Sequence, residues 1–318
     1  MVNKTIKNLE PGDQVLGFFV VRSKELKQRK DGSPFVSFEL GDRTGRIRGT
    51  MWDNAQAGYD SIEVGQIAKI QGHTSTYRDE LYITVEKIRK SVEQDNVDIS
   101  QFMATTQKDV RIMTLRLFSI IDSLGSSHVK KLLHAIFDDI PFKNKFSKAP
   151  AAKLWHQNYL GGLLEHTLQV VDICEKVLPN YEGVNRDILI AGALLHDIGK
   201  VTELSTEGFI DYSEEGRLLG HIVMGYQYVT EKIKQMHDFP QKIGNQILHL
   251  ILSHHGQREH GAPVVPMTLE AMLLHTADYM DSQTSAFIRI INNEKEPGKK
   301  WSKYVNLIDR YIYLGDSE

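Results

Sequence analysis

The spacing of apolar residues changes once along this chain of 318 residues, and the change predicts two domains of different structural class. In the first 90 residues, five short apolar runs of β type alternate with turn residues. From Val110 to the C-terminus, apolar residues recur at helical spacing. The polar stretch between them has the character of a linker. The sequence therefore predicts an all-β domain over residues 1–90, a linker over 91–108 and an all-α domain over 109–318.

Composition excludes several other classes of protein. The single cysteine, Cys174, rules out an intramolecular disulfide, and its place in the apolar run VVDICEKVL predicts a core residue. The N-terminus lacks the apolar stretch of a signal peptide, and the longest apolar runs are too short to span a bilayer. We therefore expect a cytoplasmic protein without a membrane partner. The formal net charge of −3 opposes indiscriminate binding to polyanions, although local basic clusters can still hold phosphate. The sequence leaves open whether the chain forms a homo-oligomer.

The predicted β domain resembles the OB-fold, a small closed barrel that binds oligonucleotides. The resemblance rests on five strands with a short helical turn near residues 55–60, between the third and fourth strands. OB-folds bind strands through the barrel face and through the loops that follow strands one and four. Here the first loop is basic and the second places an aromatic residue beside an arginine, which suits phosphates and stacked bases, although a basic hairpin tip also serves solubility. The candidate contacts are Lys24, Lys27, Arg29, Lys30, Phe38, Trp52, Tyr77 and Arg78.

The aromatic residues of this domain leave two interpretations open. Alternation along the strands favours core positions for Phe18, Phe35, Phe38, Trp52 and Tyr82. One face of a small barrel can also present a stacking pair, and Phe38 and Trp52 are the residues considered for that role. The sequence does not decide between the two.

The predicted α domain carries metal-ligand side chains on segments that are otherwise apolar. An imidazole or carboxylate costs stability when it is buried without a partner, so this pattern needs a reason. In the segment NRDILIAGALLHDIGK, Asn185 is the expected N-cap, and His196 and Asp197 fall in the last turn before a glycine. The segment NQILHLILSHHG also ends in ligand types before a glycine, at His254 and His255. A single histidine on an apolar helix is usually structural, but the joint set favours a metal centre.

The order of these residues, H, HD, H, HH and D, resembles that of the HD-domain phosphohydrolases, and HDIGK is a close local match. The resemblance implies two divalent ions, with Asp197 bridging them. One ion would be held by His166, His196, Asp197 and Asp278, and the other by His221, His254, His255 and Asp197. Nitrogen and oxygen donors without thiolate suit Mn²⁺, Fe²⁺, Co²⁺ or Zn²⁺.

Such a centre would perform hydrolysis without a protein nucleophile. Two ions about 3.5 to 4 Å apart would activate a bridging water and stabilise both the attacking and the leaving oxygen of a phosphodiester. Lys200 follows the HD pair closely enough to reach a phosphate oxygen, or it serves as a plain helix C-terminal charge. We expect no ligand role for His156, and for Asp281 a position at the surface or behind the ligands.

An N-terminal OB-fold followed by GGLLEHT, LLHDIGK, GH and SHHG resembles the YhaM-type 3′-to-5′ exoribonucleases of Gram-positive bacteria over nearly the whole chain. The resemblance implies an Mn²⁺-dependent exonuclease that releases nucleoside monophosphates from single-stranded RNA, and often from single-stranded DNA. Without the resemblance, the residues predict only a metal-assisted phosphodiester hydrolase joined to a nucleic-acid-binding module. The 3′ polarity and the preference for RNA come from the resemblance.

Two other function classes remain open. HD-type phosphohydrolases of cyclic dinucleotides or nucleotides share the ligand order, but the cyclic-dinucleotide group carries a Gly-Tyr-Pro signature where this chain reads HHGQREHGAPVVP. They also do not need an OB barrel. The second class is a non-catalytic binding protein for single strands or DNA elements, whose helical domain only oligomerises. The buried ligand set opposes this, because a retired site has no reason to keep unpaired imidazoles.

Overall fold

The computed structural model describes residues 4–77, 80–98, 102–153, 155–206, 208–306 and 308–315. The chain divides into two compact units. The first comprises Met1–Thr105 and Ser205–Asp211, and the second comprises Thr106–Leu204 and Tyr212–Glu318.

The first unit is a closed barrel whose strands follow the order β1-β2-β3-β5-β4. The strands are β1 Gln14–Gln28, β2 Pro34–Asp42, β3 Gly45–Met51, β4 Ile67–Tyr77 and β5 Glu80–Lys90, with helix α1 Ala55–Asp60 between β3 and β4. Strand β5 pairs with β3 in parallel, and the other neighbours pair antiparallel. The predicted five strands and helical turn are present, and the predicted OB-fold is confirmed.

Alternation along the strands decides which side chains fill the barrel. In β2, Val36, Phe38 and Leu40 are buried, and Phe38 is only 1% exposed. Phe35 differs from Phe38 by an odd number of residues, so the pleat turns its ring to the outer face. Of the two interpretations of Phe38, the structure therefore selects the core.

The second unit is helical. Its helices are α2 Val110–Asp122, α3 Ser127–Phe137, α4 Ile140–Phe146, α5 Gly162–Val177, α6 Arg186–Leu195, α7 Lys200–Glu203, α8 Glu214–Lys234, α9 Gln241–Ser253 and α10 Leu269–Glu294. Asn185 caps α6 as predicted, because its side chain accepts hydrogen bonds from the backbone N–H groups of Asp187 and Ile188. Two short strands, β6 Leu204–Ser205 and β7 Asp211–Tyr212, pair before α8 begins.

The apolar faces of these helices share one core. It includes Leu132, Val171, Leu194 and Leu250, all at most 1% exposed, and Cys174 is buried within it as predicted. Burial raises the pKa of the Cys174 thiol to about 12, which makes it unsuited to nucleophilic chemistry. No helix in the described parts of the chain is both long enough and apolar enough to cross a membrane.

The helical pattern predicted up to the C-terminus ends earlier in the structure. Helix α10 stops at Glu294, shortly before Pro297 and Gly298. Beyond them, Trp301 bridges Tyr313 and Val305 bridges Arg310 in antiparallel pairing. The reason is local, because Pro-Gly breaks a helix and the aromatic residues that follow favour extended backbone.

Candidate metal centre and nucleic-acid groove

Two groups of three side chains in the helical unit lie close enough together to hold a cation. Within each group, the ligand atoms lie within 4.8 Å of one another. The first group is His166, His196 and Asp197, and the second is His221, His254 and His255. Histidine nitrogen and carboxylate oxygen are common donors for divalent transition metals.

Asp197 lies between the two groups. Its Oδ2 atom is 3.4 Å from the Nε2 atoms of both His166 and His196. Its Oδ1 atom is 3.5 Å from Nε2 of His221 and 3.6 Å from Nε2 of His254. Each carboxylate oxygen therefore faces a different group, which is the arrangement expected of a bridging ligand.

Asp278 lies beside the first group. Its Oδ1 atom is 3.1 Å from Nε2 of His166 and 3.8 Å from Nε2 of His196. The seven side chains singled out in the sequence, which come from helices α5, α8 and α10 and from the residues that follow α6 and α9, therefore converge on one region of the helical unit.

Helix packing brings these residues together. His196 and Asp197 follow directly after α6, and His254 and His255 follow directly after α9. The two helices approach closely because α6 carries Gly192 at their contact, where a Cβ atom would come within 2.1 Å of the Leu250 side chain. Adjacent residues in helical conformation point about 100° apart, so His196 and Asp197 enter the centre from different directions.

The five imidazoles of the two groups are held in the same way. In each ring, Nδ1 lies within hydrogen-bond distance of an oxygen that can only accept, so Nδ1 carries a proton and Nε2 is the nitrogen left to bind a metal. The accepting atoms are Asp281 Oδ2 for His166 at 2.7 Å, the Ala193 carbonyl for His196 at 2.9 Å, Glu203 Oε1 for His221 at 2.9 Å, the Ile251 carbonyl for His254 at 2.8 Å and the His260 carbonyl for His255 at 2.9 Å.

Three buried atoms in the centre lack a hydrogen-bond partner among the described residues, and they indicate whether a cation fits there. Asp197 Oδ1, His221 Nε2 and His254 Nε2 are buried, and no hydrogen-bond partner for them lies in the described part of the chain. Asp197 Oδ1 lies 3.5 Å from the His221 nitrogen and 3.6 Å from the His254 nitrogen. Buried acceptors without a donor are costly, and a divalent cation between them would satisfy all three at once. The donor set therefore fits divalent metal binding.

Protonation states in the second group favour metal binding. Burial, together with the nearby rings of His254 and His221, lowers the pKa of His255 to about 3. Burial also lowers the pKa of His254. Both rings are therefore neutral near neutral pH, which is the form that binds a metal.

The carboxylates around the first group favour a positive charge there. Burial disfavours a charged His166, yet hydrogen bonds to Asp197, Asp278 and Asp281 raise the pKa of His166 well above its ordinary value. Burial likewise opposes the charge on Asp197, but Lys200 and His196 hold the pKa of that carboxyl well below its usual range. The carboxylates that attract a proton to His166 would also attract a metal cation.

Lys200 lies at the centre, where its Nζ atom donates to Asp197 Oδ2 at 2.6 Å. The side chain is only 10% exposed, so it is more than a solvated charge at a helix end. Whether it also contacts a phosphate oxygen remains a proposal.

Three residues that sequence analysis gave no direct role support the ligands. Asp281 is buried, accepts from His166 and is itself bonded by Gln157 Nε2 at 3.0 Å. The buried ring of His156 has its centroid 4.6 Å from that of His166. Glu203, the last residue of α7, accepts from His221. In the sequence, nothing distinguishes it from any other acidic residue. Such supporting residues follow no fixed spacing, so only the fold identifies them.

A groove of about 470 Å³ on the barrel collects aromatic and basic side chains. Its lining includes Lys27, Phe35, Arg48, Trp52, Tyr77 and Tyr82. Phe35 and Trp52 are stacked with centroids 5.0 Å apart, and the guanidinium of Arg29 lies 4.8 Å from the Trp52 ring centre. Rings beside cations are suited to a single strand, because bases stack on rings and phosphates pair with cations.

The structure changes the predicted set of nucleic-acid contacts. Lys24 lies within β1, where its Nζ atom donates to the carbonyls of Tyr59 at 2.9 Å and Ile62 at 2.7 Å, so it is not part of an open basic loop. Phe38 is in the barrel core. Lys30 is exposed in the turn after β1, and Arg78 lies outside the described residues.

Phe35, Arg48 and Tyr82 line the groove but were not among the predicted contacts. The parity of Phe35 relative to Phe38 was a usable signal in the sequence. Arg48 and Tyr82 are neighbours across the parallel pairing of β3 and β5, and that pairing is not visible in the sequence.

Comparisons with known proteins agree with this geometry. A family model described as HD domain matches residues 163–283, and one described as OB-fold nucleic acid binding domain matches residues 20–90. The chain is 29% identical over 315 residues to "3'-5' exoribonuclease YhaM" of Listeria monocytogenes serotype 4b (strain CLIP80459), covering 98% of each chain. It is 31% identical over 307 residues to the protein of the same name from Bacillus subtilis (strain 168), covering 96% of each.

Among solved structures, the second OB-fold domain of replication protein A from Methanococcus maripaludis is 30% identical and covers 29% of this chain and 100% of that chain, with a TM-score of 0.24.

Proposed function

The chain belongs to the family of YhaM 3′-5′ exoribonucleases, and from this membership we propose that it is a metal-dependent hydrolase that shortens single-stranded RNA from the 3′ end. The observation that carries the proposal is the position of Asp197, whose two carboxylate oxygens face two groups of buried imidazoles. A purely structural helical unit would have no use for three buried, unpaired acceptors at one point.

We assign two cation positions to this centre. His166, His196, Asp197 and Asp278 would hold one cation, and His221, His254, His255 and Asp197 would hold the other. Divalent ions bound there would supply an activated water and would stabilise the negative charge that develops on the phosphodiester. Mn²⁺ is the ion we propose first, because it accepts mixed nitrogen and oxygen donors and because the family resemblance implies it.

The chain's own residues would orient and charge this centre. Asp281 and Glu203 would hold His166 and His221 with Nε2 directed inward. The ammonium of Lys200, which is 2.6 Å from Asp197, would turn towards a non-bridging phosphate oxygen when a substrate arrives. Burial of these groups strengthens each of the charge interactions, since little water screens them.

The barrel groove would hold the strand through bases and phosphates. Stacking of a base on an aromatic side chain contributes about 1 to 3 kcal/mol, and Trp52 and Tyr82 line the groove for that contact. Lys27 and Arg48 would pair with phosphates. Neither kind of contact reads the ribose 2′-hydroxyl, so we propose that single-stranded DNA is bound and degraded as well, with nucleoside monophosphates as products.

Degradation of labelled oligonucleotides tests the proposal. With Mn²⁺, we expect RNA labelled at the 5′ end to shorten step by step, and RNA labelled at the 3′ end to lose its label at once as a mononucleotide. Chelator should stop both reactions. A DNA oligomer and a cyclic dinucleotide form the other arms. Intact RNA and DNA beside a cleaved cyclic dinucleotide would overturn the exonuclease proposal, and binding without any cleavage would favour a non-catalytic role.

A further inference from the structure

Exposed aromatic side chains concentrate near the C-terminus, in a part of the chain to which no role is assigned above. Of the ten exposed Trp and Tyr side chains in the described part of the chain, four lie between residues 301 and 313. They are Trp301, Tyr304, Tyr311 and Tyr313, and each is 44 to 58% exposed. Exposed aromatic surface of this density marks a binding site more often than a plain surface.

These rings belong to residues 300–306 and 308–314, here called the C-terminal hairpin. Backbone hydrogen bonds of 2.9 Å join Ser302 to Ile312, Leu314 to Lys300 and Val305 to Arg310. Ser302, Ile312 and Leu314 are buried on the inner face. Strand alternation therefore turns Trp301, Tyr311 and Tyr313 outward.

The rings are ordered without being covered. Trp301 and Tyr313 form an edge-to-face pair at 5.3 Å, and Tyr304 and Tyr311 form another at 5.1 Å. The Tyr304 hydroxyl donates to Asp309, which holds that ring further. In an edge-to-face pair, the edge of one ring covers a single face of the other ring. The remaining ring faces are open for stacking.

The charge around these rings points to a polyanion. The hairpin itself carries three basic side chains, Lys300, Lys303 and Arg310, and one acidic side chain, Asp309. Lys303 and Arg310 are exposed beside the rings. Lysine is depleted in protein–protein interfaces, whereas rings interleaved with cations are the pattern of single-strand binding surfaces.

We propose that the C-terminal hairpin is a second contact surface for single-stranded nucleic acid, separate from the barrel groove and the metal centre. This inference rests on the proposed function, since the strand it binds would be the substrate. Bases stack on Trp301, Tyr311 and Tyr313, and phosphates pair with Lys303 and Arg310. The surface adds affinity for long strands and does not take part in bond cleavage.

Binding of a labelled oligoadenylate of about 20 nucleotides, a length of one to several single-strand sites, tests this directly. Fluorescence anisotropy would be measured in an Asp197→Ala background so that the probe stays intact. The combined variant Trp301→Leu, Tyr311→Leu and Tyr313→Leu keeps apolar side chains but removes the rings. We expect its Kd to rise about tenfold. Tyr181→Leu, at an exposed tyrosine elsewhere in the helical unit, is the matched control and should not change the Kd.

A conservative variant separates stacking from folding. Phenylalanine at Trp301, Tyr311 and Tyr313 should restore the Kd to near its original value, since a ring is all that stacking requires. Lys303→Ala with Arg310→Ala should reduce the slope of log K against log salt by about 1.4. An unchanged Kd in the leucine variant, or equal loss in the phenylalanine variant, would overturn the proposal. So would a change in oligomeric mass without a change in Kd, which would assign the hairpin to self-association.

Kinetics keep this proposal distinct from the proposed function. With otherwise native protein and Mn²⁺, the leucine variant should show about a tenfold higher KM for the long strand and an unchanged kcat. If the native chain degraded no strand but the hairpin variants still weakened binding, the exonuclease proposal alone would fail. If degradation were normal and equal in both variants, the hairpin proposal alone would fail.

Discussion

Asp197 has to satisfy two groups of ligands with one carboxylate. It can do so because His166 and His196 approach Oδ2 while His221 and His254 approach Oδ1. Lys200 partly neutralises the same carboxylate from a buried position, so its charge is held without nearby solvent. Loss of the Asp197 side chain would remove one ligand atom from each of the two cation positions.

We therefore expect Asp197→Ala to lower kcat by about 10³-fold or more, because the loss of the bridging donor removes several kcal/mol of charge stabilisation. Binding of single-stranded oligonucleotides should persist, since the barrel groove does not include this residue. Single-turnover cleavage of end-labelled RNA and metal content by mass spectrometry check both points. Turnover within tenfold of the native protein would contradict a bridging role.

At the scale of elements, a break in α8 positions His221. Gly220 adopts φ 72° and ψ 154° inside the helix, a region available almost only to glycine. Directly after this break, Glu203 Oε1 accepts from both the backbone N–H and Nδ1 of His221, each at 2.9 Å. The Glu203 carboxylate thus caps the second half of α8 and also orients the ring of His221.

Gly220→Ala should destabilise the helical unit by about 1 to 3 kcal/mol, the cost of a side chain in that backbone region. Weaker metal binding should accompany it, because His221 moves with the break. Thermal unfolding and metal titration would measure both effects. Gly244→Ala in α9 is the control, since a Cβ there meets neighbours only at 3.6 Å or more. A Gly220 variant that behaved like this control would show that the break does not matter.

The barrel shows how two aromatic residues of one domain differ in function. Trp52→Ala should weaken binding of a single strand by about 1 to 3 kcal/mol with little change in stability, since the ring is 38% exposed in the groove. Phe38→Ala should lower the free energy of unfolding of the barrel by about 3 to 5 kcal/mol, because it leaves a cavity in the core. Anisotropy and chemical denaturation distinguish the two, and the reverse pattern would refute the assignment.

At the scale of the whole molecule, two cores are formed from separate parts of the chain. One contains Val36, Phe38 and Leu40 of the barrel, and the other contains apolar residues of the helices. The metal centre belongs to the helical unit alone. A bound metal stabilises only the unit that binds it, so its removal should affect one unit and not the other.

Removal of Mn²⁺ from loaded protein by a chelator should lower the melting temperature of the helical unit and leave that of the barrel unchanged. The lost stability is about 2.7 kcal/mol if the metal had been present at 100 times its Kd. Differential scanning calorimetry measures both transitions, and Phe38→Ala identifies the one that belongs to the barrel. Equal shifts of both transitions would argue that the ions bind elsewhere.

The sequence by itself predicted the fold class, the order of the two domains and the seven side chains that converge in the helical unit. The fold class depends on local periodicity, and the seven side chains stand out because they lie within or just after helical segments that are otherwise apolar. The N-cap at Asn185 and the HD pair after α6 are examples. The five-stranded barrel with its helical turn is another.

Only the tertiary structure decided which groups meet. Glu203 and Asp281 became supports for His221 and His166 through packing of separate elements, and sequence spacing does not encode that distance. Lys24 is not one of the open basic contacts, because the carbonyl of Tyr59 in α1 and that of Ile62 after it accept from its ammonium. The groove residues Arg48 and Tyr82 depend on the parallel pairing of β3 with β5. Periodicity tells which face of an element is buried, but the partner of that face is set by how the whole chain packs.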